Sequence, residues 1–229
     1  MKTIGLIGGT GWVSTLEYYR LINLETIKLL GGHNAARCVL YSLNYADINE
    51  CNLREDHEGV YNFVLDAAIK LKNANADCLV ICANTMHQYV DRLIEEVKLP
   101  IVHIADATAF EIKKLGLSTI GLLGTKFTME LDFYTKRLND AGIKSLVPEK
   151  PERLFIHSTI MDELLKEIFK PESKKKFLDI INDLEIKGTQ GIVLGCTEIP
   201  LLIKQADTHL PIFNTLEIHA KAAVNFANR

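Results

Sequence analysis

Apolar residues in this chain come in two rhythms. Short, nearly unbroken runs such as Thr3-Ile4-Gly5-Leu6-Ile7, Leu79-Val80-Ile81 and Ile192-Val193-Leu194 alternate with longer segments in which apolar positions recur every three or four residues. The short runs read as buried strands and the longer segments as helices. In chain order, the pattern predicts a strand over 3–7, the glycine turn Gly8-Gly9-Thr10-Gly11, and a helix over 14–30. Ser14-Thr15-Leu16-Glu17 has a capping-box pattern to open that helix, and Gly31-Gly32 closes it. A strand over 37–42 follows, then a loop carrying Asn44, Asp47, Asn49 and Arg54, and a helix over 58–73. The Leu79–Cys82 strand runs into a helix over 84–98 and then a strand over 100–103. The second half repeats the alternation. Helices are expected over 106–115, 128–141, 154–169, 173–187 and 215–228, and strands over 119–124, 143–147, 192–195 and 211–213. A helix near Glu198 is broken or shaped by Pro200.

Three landmarks recur in the same order at nearly constant spacing. Thr3-Ile4-Gly5-Leu6-Ile7-Gly8 matches Thr119-Ile120-Gly121-Leu122-Leu123-Gly124, Cys82 matches Cys196, and Leu99-Pro100-Ile101 matches Leu210-Pro211-Ile212. Alternating strands and helices with an internal duplication imply an α/β fold of two pseudo-symmetric lobes, each a mostly parallel sheet flanked by helices. The expected division is 1–104 plus 212–229 for the first lobe and 105–211 for the second. Open α/β sheets bind ligands beyond the carboxyl ends of their strands. Cys82 and Cys196 both sit at such ends, so the duplication predicts an active site in the cleft between lobes with a thiol on either wall.

A pair of thiols suits inversion of a carbon centre. A base removes a proton from one face while an acid delivers one to the other, and reversal swaps the roles. A helix N-terminus favours the thiolate, and each cysteine is expected to precede a helix. The same termini, with Asn84, Thr85, Thr125, Thr197 and the Gly8-Gly9-Thr10 turn, offer donors to a substrate carboxylate and to the charge that spreads into it. No pyridoxal lysine motif, metal-ligand cluster or dinucleotide fingerprint accompanies them: Gly5, Gly8, Gly9 and Gly11 lack G-x-G-x-x-G spacing. The site is therefore expected to work without a cofactor or metal. Cys38, Cys51 and Cys78 read as buried small hydrophobes, His87 and His103 as packing residues, and Lys174-Lys175-Lys176 as a solvated face.

Composition narrows the partners. Hydrophobic residues make up 48% of 229, enough for a substantial core, and the formal net charge is −3 with no basic block. Nucleic acid is not expected as a partner. No apolar run approaches the ~20 residues of a membrane span, and the N-terminal apolar run is too short for a signal peptide. Five cysteines without regular spacing read as free thiols of a cytoplasmic protein.

At several of these residues the chain resembles the aspartate/glutamate racemase family, and most closely its broad-specificity amino-acid racemase branch. The resemblance rests on Ile4-Gly5-Leu6-Ile7-Gly8-Gly9, Tyr18-Tyr19, Cys82-Ala83-Asn84-Thr85-Met86-His87, His103-Ile104-Ala105-Asp106-Ala107-Thr108, Gly121-Leu122-Leu123-Gly124-Thr125 and Gly195-Cys196-Thr197-Glu198-Ile199. It implies a two-lobed, cofactor-independent, often dimeric enzyme with Cys82 and Cys196 as the acid/base pair. It implies substrate contacts from Gly9, Thr10, Asp47, Asn84, Thr85, Thr125, Thr197 and Glu198, an amino acid as substrate, and a homodimer, for which the sequence itself shows no exposed apolar stripe. Aspartate-specific relatives carry an arginine where this chain has Ile48 and a lysine near Leu165, where this chain has Lys166. The resemblance therefore points to a broader or different amino-acid range unless Arg54 or Lys166 reaches the site. Hydantoin racemases and maleate isomerases share the two-cysteine, two-lobed plan. A non-catalytic small-molecule binding protein on the same scaffold is the alternative from another class.

Overall fold

The computed structural model describes residues 1–229 and divides them into two compact units, Met1–His103 with His219–Arg229, and Ile104–Ile218. In the first unit, β1 (Ile4–Gly8) lies between β2 (Cys38–Ser42) and β3 (Cys78–Ile81) in a parallel sheet. Parallel neighbours need long crossovers. These are α1 (Trp12–Leu30) between β1 and β2, and α2 (Tyr45–Leu53) with α3 (His57–Asn73) between β2 and β3. β1 and β3 are buried along their whole length, which is why they read as unbroken apolar runs. Val60, Val64, Ala67, Ala68 and Leu71 of α3 pack on Ile7, Leu79 and Ile81 to form the core of this unit. After β3 come a 3-10 turn (Thr85–Tyr89) and α4 (Val90–Val97), and Ile101 then bridges in parallel to Leu79.

The second unit contains α5 (Ile104–Lys114), β4 (Thr119–Gly124), α6 (Lys126–Glu130), α7 (Asp132–Asp140), β5 (Lys144–Leu146), α8 (Lys150–Asp162), α9 (Pro171–Ile186), β6 (Ile192–Gly195), α10 (Ile199–Leu202) and β7 (Ile212–Asn214). Its sheet is parallel throughout in the order β5-β4-β6-β7. The first sheet follows the same plan: β2-β1-β3, then the bridge at Ile101. The repeated sequence landmarks therefore occupy equivalent strands. α11 (Thr215–Ala227) begins in the second unit and continues into the first. No helix is long and apolar enough to cross a membrane.

The architecture is the α/β arrangement of parallel sheets flanked by helices that the alternation implies, but several local expectations need correcting. α1 starts at Trp12 rather than Ser14, and there is no capping box: the Ser14 and Thr15 hydroxyls donate back to the Gly11 carbonyl, both at 2.8 Å, and Glu17 pairs with Arg20. The segment read as a loop around Asp47 contains α2, capped by Asn44. The single helix expected over 128–141 is two, because Leu131 is extended between α6 and α7. α8 starts at Lys150, ahead of the expected 154, and ends at Asp162, short of the expected 169; Pro151 and Pro171 lie within the first turns of α8 and α9, as suits a residue with fixed φ and no N–H. The return to the first lobe was placed at 212, but Ile212 pairs with Ile192, so residues 212–214 belong to the second sheet.

Candidate functional site

β1 ends at Gly8, and the chain turns at once. Gly9 has φ +90°, and a Cβ there would lie 2.0 Å from the Leu43 carbonyl oxygen, so only glycine fits. Thr15 Oγ1 accepts from the Gly9 N–H at 3.0 Å and fixes the turn to α1. Thr10 is half-buried, and its hydroxyl oxygen is buried without a hydrogen-bond partner in the chain. Cys82, directly after β3, donates its N–H to the Ile7 carbonyl at 2.8 Å, and Ser14 Oγ lies 3.5 Å from the Cys82 carbonyl. The end of β3, the glycine turn and the start of α1 thus form one structure. The Cys82 thiol is fully buried, its Sγ 4.0 Å from the Val80 carbonyl oxygen, and burial pushes its pKa well up. Asn84 is buried and Thr85 half-buried, both leading into the 3-10 turn.

Asp47 lies on the surface in the first turn of α2, accepting from Asn44 Nδ2 at 3.0 Å. The two cations that could have read an acidic side chain are engaged elsewhere on the surface. Arg54 pairs with Glu50 at 3.0 Å and Lys166 with Asp162 at 3.8 Å. Ile48, where aspartate-specific relatives carry arginine, is buried in the core of the first unit.

In the second unit, β4 ends at Gly124 and β6 at Gly195, so close that a Cβ on Gly124 would lie 2.9 Å from the Gly195 carbonyl oxygen. Thr125 serves as N-cap of α6: its Oγ1 accepts from the Thr128 N–H and lies 3.2 Å from Thr128 Oγ1. Cys196 follows β6. Its Sγ–H donates to Glu198 Oε2 at 3.0 Å, and the Thr197 hydroxyl donates to the same oxygen at 2.8 Å. Glu198 is therefore the partner of the thiol, a role that a substrate-binding assignment does not describe. Burial, and then the Glu198 charge, hold the Cys196 pKa well above the ordinary thiol value.

Helix termini are expected to favour both thiolates, but burial raises the pKa of both thiols. Cys82 is followed by a 3-10 turn, and Cys196 by a helix of only four residues with Pro200 in its first turn. At Cys82 the turn runs directly into α4, whereas at Cys196 the helix ends after four residues; burial dominates at both.

His87 and His103, expected as packing residues, are buried and form a cluster with His219, which the sequence did not single out. Buried His219 donates from Nε2 to the Val102 carbonyl at 2.7 Å, so its Nδ1 accepts from the Tyr18 hydroxyl at 2.8 Å. His87 donates from Nδ1 to the Ala83 carbonyl at 2.9 Å, beside Cys82, and its ring packs edge-on against His103 and His219 at 4.8 and 5.2 Å between centroids. What the sequence did not signal is the contact between Tyr18 and His219, which joins the two ends of the chain.

The model of the family described as Asp/Glu/Hydantoin racemase matches residues 7–223. The chain belongs to this family. Among solved structures it is similar, at 42% identity and a TM-score of 0.94, to a Yersinia pestis protein whose own assignment as an Asp/Glu racemase is provisional; each chain is covered in full. It is also similar to an aspartate racemase homologue from Pyrococcus horikoshii OT3, at 36% identity, a TM-score of 0.85 and full coverage of both chains. Among characterised relatives, the broad specificity amino-acid racemase RacX of Bacillus subtilis (strain 168) is 23% identical over 97% of this chain and 96% of its own.

Proposed function

We propose that this racemase-family member is a cofactor-independent amino-acid racemase in which Cys82 and Cys196 act as a pair on one α-carbon, from opposite faces. The observation that carries the reading is the equivalence of the two thiols. Each stands one residue beyond the end of a buried parallel strand, in sheets of the same strand order, next to a glycine-ended partner strand. One thiolate removes the α-hydrogen and the opposite thiol protonates the carbanion. After one inversion the first cysteine carries the proton and the second is the thiolate; the starting state returns through the reverse reaction or by proton exchange of the two thiols with water. The α-hydrogen of an amino acid is a weak acid, so the carboxylate must be held by donors that stabilise the spreading charge. Thr10, with its unsatisfied hydroxyl, Asn84 and Thr85 are assigned to this, while Gly9, Asp47, Thr125 and Thr197 contribute by position because their donors or side chains are already engaged.

Cys196 enters the cycle as the acid, because its proton is held toward Glu198; burial raises both thiols, and Cys82, with a backbone carbonyl and no carboxylate near its sulfur, is the one assigned as the base. The substrate side chain is uncharged rather than acidic. Ile48 replaces a cation in the core, and Arg54 and Lys166 are committed to surface partners; burying a side-chain carboxylate without a cation is costly. The test is to incubate single L- and D-amino acids in deuterated water and follow α-hydrogen exchange and optical rotation. Racemisation of neutral amino acids with solvent deuterium incorporated at the α-carbon is the expected result. No exchange with any amino acid would remove the assignment. A covalent adduct on either thiol with an alkene diacid would move the protein to isomerase chemistry.

A further inference from the structure

The buried face of α1 is partly polar. Ser14, Thr15 and Tyr18 lie inward together with Ile22. Ser14 and Tyr18 are four residues apart and so stand on one face, a turn from each other. Ser14 Oγ lies 3.5 Å from the Cys82 carbonyl, and the Tyr18 hydroxyl donates to His219 Nδ1 at 2.8 Å. His219 is the residue with which α11 enters the first unit. Its Nε2 donates at 2.7 Å to the carbonyl of Val102, beside His103, where the chain leaves that unit. One imidazole therefore ties α1 to both places at which the chain passes between units. Donating at Nε2 while accepting at Nδ1 requires the neutral ring, and the two bonds fix its orientation.

That fixed ring is what His87 packs against. The His87 ring stands edge-on to His219 and His103, at 5.2 and 4.8 Å between centroids, and its Nδ1 donates to the Ala83 carbonyl at 2.9 Å. The backbone around the sulfur is thus held by three elements. β1 takes the Cys82 N–H through Ile7, α1 reaches the Cys82 carbonyl through Ser14, and the 3-10 turn takes the Ala83 carbonyl through His87. The second unit has no counterpart. At the Cys82–Cys196 spacing, His87 corresponds to Leu201, which is exposed. At the Leu99–Leu210 spacing, His103 corresponds to Asn214, whose Oδ1 accepts from the Leu216 N–H at 3.2 Å. The duplicated plan folds without a histidine cluster, so the cluster serves something particular to the Cys82 corner.

We infer that His219 is a positioning residue for Cys82: anchored by Tyr18 and Val102, it holds the His87 ring on the Ala83 carbonyl and so fixes the direction in which the thiol leaves the end of β3. Its effect on turnover rests on the two-thiol reading above, whereas its effect on the sulfur does not. A misplacement of ~1 Å between reacting groups can cost about 10²-fold in rate. A corner that is loosened rather than displaced should therefore cost about tenfold, and only in the step that Cys82 performs. A cluster that served folding alone would weaken both thiols together.

The experiment introduces His219→Leu into two full-length chains, Cys196→Ser and Cys82→Ser, each of which keeps one of the two site thiols, and measures α-deuterium exchange into each enantiomer. Where Cys82 remains, exchange should fall about tenfold, in kcat rather than KM; where Cys196 remains, it should stay within about twofold. In the chain with both thiols, His219→Leu should speed iodoacetamide alkylation of Cys82 at a fixed pH, read by peptide mass spectrometry, and leave Cys196 unchanged. That readout needs no turnover. If His219→Leu fails to fold, Tyr18→Phe, which removes a single oxygen from the same network, is read in the same way. Equal losses of exchange in the two chains, or no loss in either, overturn the inference, as does a Cys82 alkylation rate that does not move. Absence of exchange from every chain overturns the racemase reading instead, and the alkylation rates then decide the role of His219.

Discussion

The turn after β3 and the turn after β6 descend from the same plan and differ in what surrounds the sulfur. Cys82 is enclosed by backbone: its N–H is tied to Ile7, its carbonyl is near Ser14, and a backbone carbonyl is what lies near its thiol. Cys196 has a carboxylate 3.0 Å from Sγ, and the neighbouring threonine steadies the same oxygen. The adjoining strand ends differ too. After Gly8 stands Gly9, in a conformation closed to other residues; at the matching place after Gly124 stands Thr125, extended and capping a helix. A duplicated fold has supplied two similar positions for a thiol, and local substitutions have made them unequal. In the proposed mechanism this inequality is what would give two identical functional groups different protonation states.

The largest expected effect comes from removing either sulfur. Cys82→Ser and Cys196→Ser should each lower racemisation by on the order of 10³-fold or more, since a hydroxyl is a far weaker acid than a thiol and supplies almost no alkoxide near neutral pH. The two enantiomers have equal free energy, so kcat/KM cannot differ between directions, and the asymmetry must be read from isotope exchange. Each variant should retain deuterium exchange into one enantiomer only, and a different one in each. Loss of exchange of both enantiomers in one variant and neither in the other would mean that the thiols do not divide the faces.

Which parts of this were legible follows from range. Strands buried on both sides announce themselves as unbroken apolar runs, so β1, β3, β4 and β6 and the repeat linking them stood out in the sequence, and with them the two thiols. What was not legible depends on contacts between distant residues. Ser14-Thr15-Leu16-Glu17 has the letters of a capping box, but Ser14 and Thr15 are drawn back to Gly11 and Glu17 to Arg20. The Glu198–Cys196 contact joins near neighbours, yet it depends on a side-chain rotamer that a motif does not specify.

Exchanging the residues that follow the two matched strand ends should have unequal costs. Gly9→Thr forces a side chain against the Leu43 backbone at positive φ and should cost about 3 kcal/mol or prevent folding. Thr125→Gly removes only a capping hydroxyl and should cost a few tenths of a kcal/mol. Urea denaturation of the two variants measures the difference. Similar losses would mean that the two turns are less distinct than their backbones indicate.

Acid should distinguish the units as well. The first holds His87, His103 and His219 buried, whereas His157 and His209 of the second are not. Burial lowers the His219 pKa to about 4 against an ordinary 6.5, partly offset by its bond to the Val102 carbonyl. Its folded pKa lies below its unfolded one, so the unfolded chain binds the extra proton. The stability it contributes is present above about pH 6.5 and is lost as pH falls toward 4. Between pH 7 and pH 5 that is about 2 kcal/mol from this group. Hydrogen exchange followed by mass spectrometry should show β1, β3 and the end of α11 losing protection before β4 and β6, and His219→Gln should flatten the dependence.

The smallest effect is the one that tests the inequality of the thiols most directly. In Glu198→Gln, the side chain can still accept from Cys196 but no longer carries the charge that helps keep the proton on sulfur. The Cys196 pKa should therefore fall, and its alkylation by iodoacetamide, followed by peptide mass spectrometry, should set in at lower pH, while Cys82 alkylates as before. Racemisation should drop by about tenfold, a loss of ~1.4 kcal/mol in transition-state stabilisation, because Cys196 spends less of its time as the acid. A variant whose Cys196 profile is unmoved would show that burial alone sets that thiol. The two corners would then be equivalent in chemistry as well as in topology, and the assignment of Cys196 as the resting acid would have to be given up.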